Sequence, residues 1–299
     1  MGLAATLSAI RELILDLRDI PETEAERRSL YQRRFPGLTT PEVEDLARIP
    51  PAHLGVYTRS IFVGERRILQ ARFEVTFALL ERHWSRVYGE PFNSLTFVRR
   101  IHDHHPWRNR GTAPLGWSLV ALIEENLPAL LEACPVLPDM ARLEALAVEV
   151  RHAPDDAWGP GDTIGPEELT TLTVSELLAI ELSIPTCVRL RGFSFNPVEL
   201  RRSFYAHDET LPAVLPTGPC WSAAGRNRAG FPRWVNLPAG LFERLEAQPR
   251  LTPLPIESLA EAFVAGNGTR SEVEHLREFL DLLGQLSEAG VVLLPPRGR

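Results

Sequence analysis

The stretch GERRILQARFEVTFALLERHWSRVY, residues 64–88, sets Leu69, Phe73, Phe77, Leu80, Trp84 and Val87 at spacings of four and three. That spacing returns to one side of an α-helix every turn, so the segment predicts a long amphipathic helix whose apolar stripe faces a core. Further helices are expected at 3–18, 23–34, 93–102, 115–132 and 138–152. They are punctuated by Pro21, Pro36–Gly37, Pro50–Pro51, Pro91, Pro106 and Pro135. The first half of the chain therefore reads as helical throughout. HAPDDAWGPGDTIGPEE, residues 152–168, is dense in Pro, Gly and Asp and predicts a linker. The expected domains are 1–160 and 161–299.

Beyond the linker the pattern changes. LAIELSIPTCVRLRGFSF, residues 178–195, is β-branched and alternating, which suggests two short strands. CWSAAGRNRAGFPRWVNL, residues 220–237, has a turn-rich centre and suggests a further strand at 233–237. Three helices follow: PAGLFERLEA from Pro238, PIESLAEAFVAG ending at Gly266, and SEVEHLREFLDLLGQLSEAG from Ser271. Ser271 and Glu274 form a capping-box pattern and Gly290 suits the C-cap. VVLLPP closes the chain as a short strand. The fold class expected is mainly α with a small α+β part: a helical domain followed by a winged-helix-like module.

Composition bounds the chemistry. The 299 residues are 44% hydrophobic and 24% charged, with net charge −7, which suits a globular protein and gives no general reason to expect nucleic acid. All 32 basic residues are arginine, which excludes a Schiff-base or P-loop lysine. No window reaches the ~18 uninterrupted apolar residues of a membrane span. The N-terminal segment reads as an amphipathic helix, not a signal peptide, and Cys134, Cys187 and Cys220 are too few and too scattered for a disulfide framework or zinc ribbon. The expected location is a reducing cytoplasm. No GxSxG, GxGxxG, Walker or HExxH pattern occurs, so no catalytic residue is assigned.

The histidine-rich stretch RRIHDHHPWRNRG, residues 99–111, raises the question of metal. His104 and His105 are adjacent and their side chains diverge in helix or strand. Together with His102 they lack the convergent spacing of a closed site, so no metal is expected in this chain.

Three segments carry a family resemblance: LGVYTRSIFVGERRILQARFEVTFALLERHW, LTFVRRIHDHHPWRNRGTAPLGWSLVALIEEN and LPDMARLEALAVEVRHAPDD. Tyr57 ahead of the long helix, the His105–Pro106 turn and the LPDMARLE helix resemble the HvfC/BufC-type N-terminal domain in order and spacing. Members of that family, and the related protein MbnC, are non-catalytic partners of TIM-barrel multinuclear non-heme iron-dependent oxidative enzymes that modify ribosomal precursor peptides (RiPPs). The resemblance implies that the iron belongs to the partner enzyme and that this chain needs no cofactor. It further implies that the second domain is a RiPP recognition element holding the peptide's leader, and that His102, His104, His105 and Trp107 lie at the partner interface. The leader is expected along a sheet edge, bounded by Arg226, Arg228, Arg233, Trp234 and Val235 and by Leu276, Phe279, Leu280 and Leu283 of the third helix. The same N-terminal domain has also been described as DNA-binding, which keeps a winged-helix regulator as the alternative. Against it, the third helix carries Glu272, Glu274, Glu278, Asp281 and Glu288 beside a lone Arg277, which would repel phosphate. The positive charge lies in residues 185–235, with seven arginines against three acids.

The purified chain is expected to carry no stoichiometric iron or zinc. Elemental analysis checks this, and near-stoichiometric metal lost in His102→Ala or His104→Ala would refute it.

Overall fold

A computed structural model describes residues 3–15, 20–104, 115–154, 171–266 and 272–294. They are mainly helical, with small antiparallel sheets. Contacts divide the chain into two compact units, Met1–Ala71 with Phe92–Ala113, and Arg72–Pro91 with Pro114–Arg299. The boundary expected at 160/161 lies outside the described residues, and the contacts group the helices on either side of residues 92–113 with the sheets.

The first unit contains α1 (Leu3–Leu15), α2 (Glu24–Arg34), α3 (Thr40–Ala47), α4 (Pro51–Arg72, all but its last residue) and α6 (Ser94–His104). Thr23 caps α2 by accepting from the Glu26 N–H, and Glu42 reaches back to the Thr39 N–H at 2.7 Å to start α3. Leu13, Tyr31, Val43, Leu46 and Leu54 close a small core. Arg27 is buried beside it because its guanidinium donates to the carbonyls of Ala47 (2.8 Å) and Pro21 (3.0 Å).

The second unit contains α5 (Glu74–Tyr88), α7 (Leu115–Asn126), α8 (Pro128–Ala133), α9 (Leu137–His152) and α10 (Val174–Leu178). Then come β1 (Glu181–Leu182), β2 (Arg189–Phe193), α11 (Pro197–Ala206), β3 (Cys220–Arg226) and β4 (Pro232–Leu237). Last are α12 (Ala239–Glu246), β5 (Leu254–Pro255), α13 (Ile256–Gly266) and α14 (Glu272–Glu288). Strands β2–β3–β4 form an antiparallel sheet in that order, and β1 pairs with β5. A single bridge, Ser183 to Leu293, stands where a closing strand was expected.

Helix α9 is apolar around most of its circumference, so it is buried at the centre, against α5, α7, α11 and all three strands of the larger sheet. It carries Asp139, Glu144 and Glu149 five residues apart, a step of roughly 140° around the helix, so each carboxylate reaches a different neighbour. Asp139 accepts from the Ser194 and Phe195 N–H groups (2.8 and 2.9 Å) and fixes the turn after β2. Glu144 accepts from the N–H groups of Val75 and Thr76 (3.2 and 3.1 Å) at the start of α5. Glu149 accepts from the Trp117 indole (2.8 Å) and from Arg189 (3.1 Å).

The single helix expected over 64–88 is in fact two. Phe73 leaves the helical region (φ −123°, ψ 42°), and α4 ends at Arg72 while α5 begins at Glu74. The apolar period runs through the break because both helices use it, and the amides freed there are taken up by Glu144. Likewise 115–132 divides at Leu127, before Pro128.

Strand β3, CWSAAGR, opens the stretch for which the sequence predicts a turn-rich centre and a strand only at 233–237. All of β3 except Trp221 is buried, on both faces. Side chains alternate along a strand, so Ala223 and Gly225 face the core formed with α12–α14, while Ser222, Ala224 and Arg226 face α9. A Cβ at Gly225 would stand 2.5 Å from the backbone of Ala289 and Gly290, which is why that position has no side chain. Arg226 is only 8% exposed. Its guanidinium donates to the carbonyls of Arg151 (3.2 Å), Ala153 (2.8 Å) and Pro154 (3.0 Å), capping the C-terminal end of α9. Arg226→Ala should therefore lower the unfolding free energy by about 1–3 kcal/mol, since it removes a buried side chain and leaves three part-buried carbonyls without their donor. Chemical denaturation checks this; a change within about 0.5 kcal/mol would show that the staple is dispensable.

Candidate functional site

The open edges of the β2–β3–β4 sheet follow from one backbone bond. The Asn227 N–H donates to the Phe231 carbonyl (3.0 Å), so these residues form a bonded pair at the end of the β3–β4 hairpin. Bonded pairs recur every second residue, which makes Gly225–Arg233, Ala223–Val235 and Trp221–Leu237 the inward-bonded pairs. On β4 the N–H and C=O groups of Trp234 and Asn236 consequently point away from β3. Pro232 and Pro238 bracket this edge, and neither has an N–H to offer. By the same alternation, Ser222 and Ala224 bond Arg191 and Arg189, and Leu190 and Gly192 point outward from β2.

The residues expected to form a leader groove are distributed over two faces of this sheet. Val235, Phe279 and Leu283 are buried together in the core, and Leu280 packs on its margin. Leu276 is half-buried and Arg233 is exposed. Arg228 is exposed in the β3–β4 turn, where Gly230 (φ 81°) donates back to Asn227 at 2.9 Å. Trp234 lies on the opposite face, its ring edge-on to Phe193 at 6.4 Å, and so does Arg226. The expectation that Arg226 lines an exposed rim is corrected by this: period-two alternation turns it toward α9, where it is consumed by backbone carbonyls. Sequence reasoning missed Asn236, whose side chain bonds Ser222 (2.9 Å) and whose backbone faces the open edge. Its signal was its position two residues from Trp234 between two prolines.

His102 and His104 belong to α6, but their side chains, and all of His105 and Trp107, lie outside the described residues. Among the described residues no three His, Cys, Asp or Glu side chains are grouped to hold a metal ion. Cys134, Cys187 and Cys220 are buried, and no disulfide joins them. Burial pushes the Cys134 thiol up to about 11, which keeps it protonated and a poor nucleophile at neutral pH. No described helix is long and apolar enough to cross a membrane.

Glu144 is a strongly perturbed carboxyl. It is 3% exposed, and burial pushes its carboxyl up to about 7. The two amides it accepts from, the Thr76 side chain and the charge of Arg201 pull in the other direction, less strongly. Beside it, Tyr205 donates to Glu74 (2.5 Å) and Arg201 lies over the Tyr205 ring at 4.8 Å. Comparison of the sequence with protein-family models and with curated proteins gives no match.

A carboxyl whose folded value lies above its unfolded one adds stability that is complete below about 4.5 and is lost as pH rises through about 7. The stability of wild type relative to Glu144→Gln should therefore fall by up to about 3 kcal/mol between about pH 4.5 and pH 7.5. Urea unfolding of both proteins across that range measures it. A difference that grows with pH would mean that the amides outweigh burial.

Proposed function

We propose that this chain is a non-catalytic partner subunit. It binds the leader of a ribosomal precursor peptide and presents the peptide's core to a TIM-barrel multinuclear iron oxidative enzyme. The observation that carries the reading is the order of the second unit: a three-stranded antiparallel sheet ending in an edge strand, β4, followed by three helices. That order suits a winged-helix, RiPP-recognition-element-like module. A leader pairing with β4 bonds Trp234 and Asn236 and places alternate side chains on either face of the sheet. On the face shared with Val235, the half-buried Leu280 offers apolar surface, and Arg233 and Arg228 supply positive charge at the rim. The helical segments resembling the HvfC/BufC-type domain are assigned to the partner enzyme, with the histidine-rich stretch as the interface.

The DNA-regulator reading is weaker. Glu274, Glu278, Asp281 and Glu288 of α14 are exposed beside Arg277, so a groove-entering α14 would bring carboxylates to phosphate.

Fluorescence anisotropy of the full chain with a labelled candidate leader peptide tests the reading. Asn236→Pro, which removes an outward N–H, should weaken binding about tenfold or more, while Asn236→Ala, which loses only the side-chain bond to Ser222, should not. Arg228→Glu with Arg233→Glu should cost about 1–2 kcal/mol at low salt and less at high salt, since exposed charges are screened. Duplex DNA that displaces the peptide, or wild-type affinity in Asn236→Pro, would overturn the docking.

A further inference from the structure

We propose that the open edge of β2 is a second strand-docking site, which takes an extended segment of a partner protein that alternates acidic and apolar residues. The inference goes beyond the reading above and stands on a different edge of the sheet. Leu190 and Gly192 present outward N–H and C=O groups there, with no bonding partner among the described residues. Edge strands are ordinarily guarded by proline, a bulge or a covering element. The sequence Arg189–Phe193 contains no proline, its pairing with β3 is unbroken by a bulge, and Arg191 and Gly192 are exposed.

The two faces of the edge specify different side chains. On the face toward α9, Arg191 has no ion-pair partner among the described residues. Arg189 beside it is paired with Glu149 at 3.1 Å. Burial, and then the like charge of Arg189, hold the Arg250 guanidinium below its usual value. On the opposite face Gly192 has no side chain, and the Trp221 indole lies 3.5 Å from where its Cβ would be, 37% exposed. An incoming strand bonded to Leu190 and Gly192 puts one set of alternate side chains over that indole and the other set opposite Arg191 and Arg189. Acidic residues therefore suit one set and apolar residues the other.

A second copy of this chain is the poorer occupant. Antiparallel β2–β2 pairings centred on Leu190 or Arg191 set Arg191 opposite Arg189 or its own mate, and like charges directly opposed destabilise a sheet; the pairing centred on Gly192 sets Arg191 opposite Phe193 and leaves its charge without a counter-ion. An acidic strand removes that conflict.

The test is fluorescence anisotropy of the full chain with a labelled short peptide alternating glutamate and valine. Gly192→Pro removes only an outward-pointing N–H, and its Cβ meets Trp221 at ordinary van der Waals distance, so the melting temperature should stay near wild type. Wild type should bind saturably, more weakly as salt rises. Gly192→Pro and Arg191→Glu should each weaken binding about tenfold or more, while Asn236→Pro on β4 stays within about twofold. Absence of saturable binding by wild type overturns the proposal. So does wild-type affinity in Arg191→Glu, greater loss in Asn236→Pro than in Gly192→Pro, or displacement by a single-stranded oligonucleotide. Because leader capture is read on β4 through Asn236→Pro, either edge can fail without the other.

Discussion

Burying a carboxylate is costly unless donors surround it, and α9 buries or half-buries three. Each finds its donors on a different element: backbone amides after β2 for Asp139, the first amides of α5 for Glu144, and Trp117 and Arg189 for Glu149. Polar pairing has directional requirements that apolar contact lacks, so these bonds fix where α5, α7 and the sheet stand against α9. Arg226 completes the arrangement from the other side by satisfying carbonyls at the helix's C-terminal end. The hydrophobic core supplies the bulk of the driving force, while the polar set selects one packing from those the core would tolerate.

The same constraint determines which groups the sheet can offer to another molecule. With α9 on one face and α12–α14 on the other, β3 has room only for small residues in Ala223, Ala224 and Gly225. Recognition is thereby confined to the edges and to the side chains at their margins. Arginine count alone is a poor guide here. Of the arginines between residues 185 and 235, Arg226 serves the fold and Arg189 is held by Glu149. Arg191, Arg228 and Arg233 remain on the surface.

Helices whose signals are local were legible: α2, α9, α12, α13 and α14 follow from apolar spacing, caps and terminal glycines. The helix α11 was missed, although Asn196, Pro197 and Glu199 are a cap, a first-turn proline and an acidic first turn. So was α3, with Thr39, Pro41 and Glu42 in the same roles. The break at Phe73 was not legible. No glycine or proline marks it, and its cause, Glu144, lies about 70 residues later in the chain. Strand β3 was hidden for a related reason, since alanine and glycine are weak strand formers and are chosen here by burial on both faces. Among the candidate site residues, the edge position of Trp234 was foreseeable from its strand, but the face that each residue takes depends on register, and register is set by the Asn227–Phe231 turn.

The long reach of these caps orders events during synthesis. Helix α5 leaves the ribosome well before Glu144, so its first amides stay hydrated until α9 is made. Helix α9 then waits for Arg226, more than 70 residues further on, before its last carbonyls are covered. The second unit therefore cannot close around a nascent N-terminal nucleus. It assembles late, with most of the chain already emerged, and a half-made product exposes the apolar sides of α5 and α9 to whatever holds unfinished chains in the cell.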